Sequence, residues 1–158
     1  MLSVLIPTFN EEQAIATTVR HVHETLAALA DPFEIVVIDD GSTDRTPEIL
    51  KGIALPQLQI ITHPTNRGYG ASMKTGIRRS HGSLIATIDA DGTYPIGAFP
   101  LLLEQLRTDQ ADMVVGARVK KGVNIPWVRR PAKAILGLLA RTLTGMTIPD
   151  LNSGMRIF

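Results

Sequence analysis

The sequence of 158 residues contains no cysteine, which excludes a disulfide scaffold and a thiolate metal site. It also lacks an excess of one charge, because 16 Lys and Arg against 15 Asp and Glu leave a net charge of +1. Bulk electrostatics therefore give no reason to expect nucleic acid as a partner. No apolar run approaches the roughly 18 residues of a membrane span, and the amino terminus lacks a basic signal segment. We expect a cytoplasmic protein and leave contact with the cytoplasmic face of a membrane open.

The residues that are present suffice for one ordinary globular domain, with 44% hydrophobic and 20% charged residues. Short apolar runs that predict strands alternate with segments of helical periodicity. The predicted strands are residues 2–7, 33–38, 58–62, 83–88 and 112–116. This alternation predicts an α/β fold with a mostly parallel sheet, covered by helices on both faces.

Local signals predict how two of the helices begin. Asn10 is expected to cap the first helix, with Gln13 as its partner in a capping box. Thr46 is expected to cap the second helix, which Pro47 opens. We expect surface positions and no zinc site for the four histidines, which share no spacing: His21, His23, His63 and His81.

Polar clusters follow the predicted strands at the point where each strand ends. They comprise residues 8–11, 39–44, 66–70 and 89–92. In a parallel sheet these strand ends lie at one edge, and ligands of α/β proteins bind beyond that edge. The sequence therefore predicts one ligand site built from several loops.

Asp89 and Asp91 stand one residue apart directly after an apolar strand. Alternate residues of an extended segment point the same way, so both carboxylates can face one cation. Mg²⁺ and Mn²⁺ prefer such oxygen ligands and combine them with substrate phosphates. The alternative is an aspartate cap followed by an ordinary Asp-Gly turn. We favour the cation because a second acid cluster follows a neighbouring strand.

Three further features have both a functional and a structural interpretation. Asp39 and Asp40 can accept hydrogen bonds from a base or ribose, or they can form a turn before a helix. Gly68 belongs to a glycine-rich approach to a helix, which suits an anion but is also common in turns. Arg118, after the fifth strand, can bind a phosphate or remain a solvated loop residue.

The last part of the chain breaks the alternation of strands and helices. Residues 117–130 are predicted as a basic loop, and residues 132–146 as a helix with one apolar stripe. That helix either packs on the sheet or lies in a membrane interface, with its basic flank against anionic headgroups. Residues 150–158 read as a polar turn that leads into a strand.

Six segments together resemble the family 2 inverting glycosyltransferases, which have the GT-A fold. They are "IPTFNEE", "VVIDDGSTDRT", "NRGYGASMKTGI", "IDADGTYP", "VGAR" and "DLNSGMRIF". Within that family the chain looks most like the polyprenyl-phosphate glycosyltransferases, of which dolichyl-phosphate mannose synthase is the best-known type. The resemblance implies one GT-A domain, in which residues 1–116 bind the nucleotide sugar and residues 117–158 begin the acceptor side.

The resemblance also implies roles for individual residues. The expected nucleotide-sugar pocket consists of Pro7, Phe9, Glu11, Ile38, Asp39, Asp40, Gly68, Ala90 and Arg118. Asp91 and Asp89 would hold Mg²⁺ or Mn²⁺ at the donor diphosphate, and the acceptor side would include Asp150, Ser153 and Arg156. Thr93 stands where mannose synthases usually carry a glutamine, and family members continue well beyond the SGMR segment. We therefore expect a C-terminally truncated chain.

The expected reaction transfers a hexose from a GDP- or UDP-sugar to a polyprenyl phosphate, with inversion at the anomeric carbon. The expected catalytic residues are Asp89, Asp91, Arg118 and Asp150. Asp150 is a candidate general base if the acceptor is a sugar hydroxyl, and otherwise a turn residue or a sugar contact. The alternatives are a saccharide acceptor, a fragment that binds the donor without turnover, and a receiver module of a signalling protein. The sequence leaves the oligomeric state open.

Overall fold

The computed structural model describes residues 1–29, 31–117, 139, 141–143, 145, 150 and 153–158. Strands and helices alternate in these residues as the periodicity predicts. In chain order they are β1 Leu2–Thr8, α1 Ile15–Ala27, β2 Phe33–Asp39, α2 Thr46–Lys51, β3 Leu58–Thr62, α3 Tyr69–Arg79, β4 Leu84–Thr87, α4 Phe99–Thr108, β5 Val114–Val115 and β6 Arg156–Ile157. A short 3₁₀ turn, Ile96–Ala98, precedes α4.

The strands form one six-stranded sheet in the order β3-β2-β1-β4-β6-β5. β1 pairs in parallel with β2 and β4, and β2 pairs in parallel with β3. β6 lies antiparallel between β4 and β5. Thr8 is in register with Asp39, and Asp39 with Thr62, so these strands end together at one edge of the sheet. The predicted mostly parallel sheet is confirmed.

The apolar side chains of β2 alternate between the two faces of the sheet, and they are buried on both faces. Ile35 and Val37 join the larger core cluster, while Val36 and Ile38 join the smaller one. The larger cluster contains the apolar faces of α1 and α4, and its largest fully buried side chain is that of Phe99. Met73 of α3 packs on the smaller cluster. Fully burying one such side chain contributes about 1.5–3 kcal/mol, and the predicted helical cover on both faces is confirmed.

The two predicted helix caps are wrong, whereas Pro47 stands at the start of α2 as expected. α1 begins at Ile15, and Asn10 has a positive φ of 56°, which lies outside the helical region. The Asn10 side chain accepts a hydrogen bond from the backbone N–H of Thr43 at 2.8 Å instead of capping its own helix. Thr46 is the first residue of α2, after the cap Arg45, and its hydroxyl accepts from the N–H of Glu11 at 2.9 Å. Both side chains bond across loops that are distant in sequence.

The predictions for the last third of the chain can be compared with the structure only in part. β5 is shorter than predicted, since only Val114 and Val115 pair with β6. The predicted strand at the end of the chain is confirmed as β6. Most of the predicted basic loop and of the predicted helix 132–146 lies outside the described residues. In the described part of the chain, no helix is long and apolar enough to cross a bilayer.

Candidate active site

An open cavity of about 380 Å³ lies where β1, β2 and β4 end and α3 begins. Each of those strand ends contributes to its wall, as the parallel topology requires. The predicted site residues in its lining are Pro7, Phe9, Glu11, Asp40, Gly68, Asp89, Ala90 and Asp91. Thr8, Asn66, Tyr69 and Ser72 complete the lining. The structure therefore brings together most of the residues that the sequence pattern selects.

The Asp89–Asp91 segment is held in place from two sides. Thr18 of α1 donates its hydroxyl to the carbonyl oxygen of Ala90 at 3.0 Å, and the hydroxyl group is buried. Asp91 is exposed, and its Oδ1 accepts from the backbone N–H of Thr93 at 3.0 Å and from the Thr93 hydroxyl at 2.8 Å. The residue that departs from the family pattern therefore orients the aspartate that we expect to bind the cation.

The C-terminal segment packs directly on the first aspartate. A Cβ added to Gly154 would overlap the Asp89 carboxylate, so only glycine leaves that carboxylate in place. Gly154 donates its N–H to the Tyr94 hydroxyl at 2.5 Å, and its carbonyl oxygen accepts from the Thr87 hydroxyl at 2.7 Å. These contacts join β6 to the loop after β4, and they explain why the SGMR and DADG segments occur in one site.

Negative charge accumulates in the cavity. Burial raises the pKa of Glu11, and the nearby carboxylates of Asp91, Asp44 and Asp89 raise it further. Among the described residues, no three His, Asp or Glu side chains are grouped to hold a metal ion by themselves. Two carboxylates nevertheless fit Mg²⁺ or Mn²⁺, because these ions complete their oxygen shell with substrate phosphates and water. The like charges gathered around Glu11 favour a bound cation here.

The two aspartates after β2 differ in what they contact. Asp39 is buried at 1% exposure, and its Oδ1 accepts from the N–H of Ser42 at 3.0 Å. Asp40 lines the cavity, but its oxygens accept from the backbone N–H groups of Arg67 and Gly68. The Ile38 side chain is fully buried in the smaller core cluster and does not line the cavity. Of these three predicted pocket residues, only Asp40 forms part of the cavity wall.

His63 corrects the expectation that all four histidines lie at the surface. It is 5% exposed, and its Nδ1 lies 2.6 Å from Oδ1 of Asp40. Burial alone raises the pKa of Asp40, but hydrogen bonds from His63, Arg67 and Gly68 outweigh burial and lower that pKa. Sequence reasoning missed His63 because it judged histidines by their spacing to each other. The available signal was its position directly after β3, at the same edge as the acids.

Of the predicted acceptor-side residues, Ser153 precedes β6 and Arg156 begins it. Asp150 is buried, and the hydroxyl of Ser153 donates to the carbonyl oxygen of Gly116 at 2.6 Å, which joins β6 to the end of β5. Arg156 donates its Nε–H to the carbonyl oxygen of Ser153 at 2.8 Å. Burial and the Asp89 carboxylate raise the pKa of Tyr69 in the cavity wall. The positive charge of Arg156 opposes that rise, so Arg156 lies close enough to act on the cavity. Arg118 lies outside the described residues.

Comparison with curated proteins finds relatives along nearly the whole chain. A low-salt glycan biosynthesis hexosyltransferase of Haloferax volcanii is 38% identical over 99% of this chain and 38% of its own length. A dolichyl-phosphate hexose transferase of the same organism is 32% identical over 99% of this chain and 65% of its own length. An undecaprenyl-phosphate 4-deoxy-4-formamido-L-arabinose transferase of Edwardsiella ictaluri is 31% identical over 99% of this chain and 48% of its own length. This chain therefore spans only part of each of these relatives.

Solved structures share the fold at lower sequence identity. A mannosyltransferase of Pyrobaculum calidifontis, in complex with GDP-Man and Mn²⁺, has a TM-score of 0.64 at 23% identity and covers 99% of this chain and 44% of its own. Glucosyl-3-phosphoglycerate synthase of Mycobacterium tuberculosis, with Mn²⁺, UDP and phosphoglyceric acid, has a TM-score of 0.69 at 22% identity over 99% and 55%. The family model described as glycosyl transferase family 2 matches residues 3–158. The chain belongs to glycosyl transferase family 2.

Proposed function

We propose that this chain is an inverting glycosyltransferase that moves a hexose from a nucleotide-diphosphate sugar to a polyprenyl phosphate. The observation that carries the proposal is one cavity lined by the acid pair and the glycine turn, with Gly154 of the C-terminal segment packed against Asp89. The names of the dolichyl-phosphate and undecaprenyl-phosphate relatives support the acceptor class. We assign residues 1–116 to the donor and residues 117–158 to the acceptor side.

The cavity that we assign to the donor is lined by both aromatic and acidic side chains. Phe9 and Tyr69 line it with 42% and 54% of their surfaces exposed, which leaves ring faces available to a base or a sugar. We assign the diphosphate to the part of the cavity beside Asp89 and Asp91. These two carboxylates would hold Mg²⁺ or Mn²⁺, which supplies Lewis-acid stabilisation of the departing diphosphate when it is bound. Without that positive charge the carboxylates would repel the donor.

The proposed reaction is a single displacement at the anomeric carbon. An acceptor phosphate oxygen forms the new bond to that carbon while the bond to the donor diphosphate oxygen breaks, which inverts the configuration. A lipid monophosphate is already ionised near neutral pH, so the protein has to orient it rather than remove a proton. Arg156 and Arg118 are the cations that we assign to the phosphates, because a guanidinium binds phosphate through paired hydrogen bonds. Asp150 would act as a base only toward a hydroxyl acceptor.

A lipid acceptor implies contact with a membrane surface, and we assign this protein to the cytoplasmic face. Leu139 and residues 141–143 are helical, and Leu139 and Leu143 are 52% and 77% exposed beside Arg141. Exposed leucines next to a basic residue are typical of helices that lie in an interface. Vesicle sedimentation with and without anionic lipid measures this contact directly.

Calorimetric titration with GDP and UDP, each with and without Mn²⁺, tests the donor site. We expect one nucleotide to bind, and we expect Asp91→Ala to weaken its Mn²⁺-dependent binding at least tenfold, because a charged ligand of the cation is lost. Asp112→Ala is the matched control, since Asp112 is exposed and precedes β5 at the opposite edge of the sheet. The proposal is wrong if neither nucleotide binds, or if Asp91→Ala leaves Mn²⁺-dependent binding intact.

Product analysis tests the acceptor separately. A short prenyl phosphate and free sugars are offered with radiolabelled GDP- and UDP-hexoses, and we expect label only in the prenyl phosphate. Transfer to a free sugar instead would support a saccharide acceptor. Because the chain spans 38% to 65% of the three relatives, binding and turnover are scored as separate results. Binding without turnover would identify a donor-binding fragment.

A further inference from the structure

His63 and Asp40 form a buried pair beside the cavity. Nδ1 of His63 lies 2.6 Å from Oδ1 of Asp40, and the two side chains are only 6% and 5% exposed. A carboxylate accepts hydrogen bonds and cannot donate, so His63 Nδ1 is the donor. Nε2 of His63 lies 2.9 Å from the Thr75 hydroxyl, on α3. The imidazole ring is therefore held at both nitrogens between β2 and α3.

The Asp40 carboxylate also accepts hydrogen bonds from the glycine turn at Arg67 and Gly68. The backbone N–H of Arg67 donates to both of its oxygens, at 3.0 and 3.1 Å, and the N–H of Gly68 donates to Oδ2 at 2.7 Å. Gly68 has a φ of 85°, a conformation that favours glycine, and it precedes the first residue of α3. Asp40 and Gly68 both line the cavity. Oδ1 of Asn66 also accepts from the Gly68 N–H, at 3.1 Å, so Asp40 is the acceptor that joins this part of the wall to the loop after β2.

The backbone around this pair is closely packed. A Cβ on Gly41, which has a φ of 74°, would lie 2.7 Å from the carbonyl carbon of Thr65 and 2.9 Å from the nitrogen of Asn66. The N–H of His63 also donates to the carbonyl oxygen of Asp39 at 2.8 Å. The loop after β2 and the residues between β3 and α3 are therefore in direct contact around the Asp40 side chain.

We propose that His63 is a positioning residue of the donor site: it orients the Asp40 carboxylate so that this carboxylate holds the Arg67–Gly68 turn in its binding conformation. This inference rests on the proposed function for its consequence, which is the affinity for a nucleotide. His63 does not line the cavity, so we assign it no contact with the reacting groups. Its contribution is to hold the wall in place before the ligand arrives, which lowers the ordering that binding requires.

Two conservative variants separate the two ring nitrogens. His63→Asn keeps an N–H donor near the position of Nδ1, whereas His63→Gln places its amide near Nε2 and leaves Asp40 without that donor. His63→Ala removes both contacts. Amide hydrogen exchange at Arg67 and Gly68 is measured in the nucleotide-free protein, and the dissociation constants for GDP and UDP with Mn²⁺ are measured by calorimetry. His81→Ala is the matched control, because His81 also contacts a glutamate but lies at the opposite edge of the sheet.

We expect the Gln and Ala variants to exchange the two amides about tenfold faster and to bind nucleotide about tenfold more weakly. The Asn variant should stay within about threefold of the wild type in both measurements, and His81→Ala should change neither. If the Ala variant does not fold, the comparison of Asn with Gln decides the matter. Equal exchange in those two variants overturns the inference, and so does equal affinity if the wild type binds. A wild type that binds neither nucleotide refutes the proposed function, while the exchange rates still test the role of His63.

Discussion

Two glutamates at opposite ends of the sheet have pKa values that are shifted in opposite directions. Glu11 follows β1 at the carboxyl end, where burial and the carboxylates of Asp91, Asp44 and Asp89 raise its pKa. Glu34 lies in β2 near the amino end, where burial also favours a higher pKa. There, however, hydrogen bonds from His81 and Ser3 outweigh burial and lower that pKa.

The difference follows from what each end contributes. At the amino end, Oε1 of Glu34 accepts from the Ser3 hydroxyl at 2.6 Å and Oε2 lies 3.0 Å from Nδ1 of His81, so the acid ties β1 to the loop before β4. At the carboxyl end, burial and the like charges of Asp91, Asp44 and Asp89 act on Glu11 in the same direction, toward a higher pKa. An acid whose charge is compensated by its fold stabilises that fold, whereas a group of like charges is stabilised only when a ligand supplies the opposite charge.

Two glycines give the sharpest test of this contrast. Gly154→Ala would displace the Asp89 carboxylate, which is the mobile end of a side chain, so we expect nucleotide affinity with Mn²⁺ to fall at least tenfold with a small change in melting temperature. Gly82→Ala would place its Cβ 2.7 Å from the Met1 carbonyl oxygen and 2.8 Å from the Ser3 nitrogen, which are backbone atoms. We expect it to lose about 1–3 kcal/mol of stability and to keep its affinity. Calorimetry and thermal unfolding of both variants measure the two effects, and a reversed pattern would contradict the contrast.

Neutralising the two glutamates should shift the melting temperature in opposite directions. At pH 7 and without metal, Glu11→Gln removes an unfavourable charge and should raise the melting temperature. Glu34→Gln loses a charged hydrogen-bond acceptor and should lower the melting temperature. In both variants, a change of 1 kcal/mol in the free energy of unfolding shifts the melting temperature by about 2–4 °C. Scanning calorimetry measures both variants, and added Mn²⁺ should reduce the gain of Glu11→Gln.

The pH dependence of the same variants has a sign that can be worked out. Because the folded pKa of Glu34 is lowered, its stabilisation is present above the unfolded value of about 4.3 and is lost as the pH falls through the folded pKa. Because the folded pKa of Glu11 is raised, its destabilisation is present at neutral pH and is relieved as the pH falls toward that value. Equal slopes of melting temperature against pH in the two variants would refute this assignment.

Thr93→Val should have the smallest effect. It removes the hydroxyl donor to Asp91 Oδ1 but leaves the backbone N–H of residue 93 in contact with the same oxygen. Since the site is exposed, we expect the affinity for Mn²⁺ with nucleotide to fall only about threefold. Thr17→Val, on the exposed side of α1, is the control that should leave affinity unchanged. A loss as large as that expected for Gly154→Ala would mean that Thr93 itself contacts the ligand.

Much of the fold and of the cavity could be predicted from the sequence because both follow from local pattern and topology. Alternating strands and helices imply a parallel sheet, and a parallel sheet brings its strand ends to one edge. That reasoning is sufficient to place Asp89, Asp91, Gly68 and Glu11 together. The helix caps were wrong because Asn10 and Thr46 bond to residues more than thirty positions away, across two adjacent loops. No local pattern predicts such contacts.

The sequence by itself determined the α/β architecture, the edge at which the site lies and the residues that belong to the family. Only the tertiary structure decided that Asp40 holds the glycine turn, that His63 is buried against it and that Gly154 packs on Asp89. The physical reason is range. Hydrophobic periodicity acts within a few turns of chain, whereas hydrogen bonding and the ionisation of a carboxylate depend on whichever groups the finished fold brings within a few ångströms.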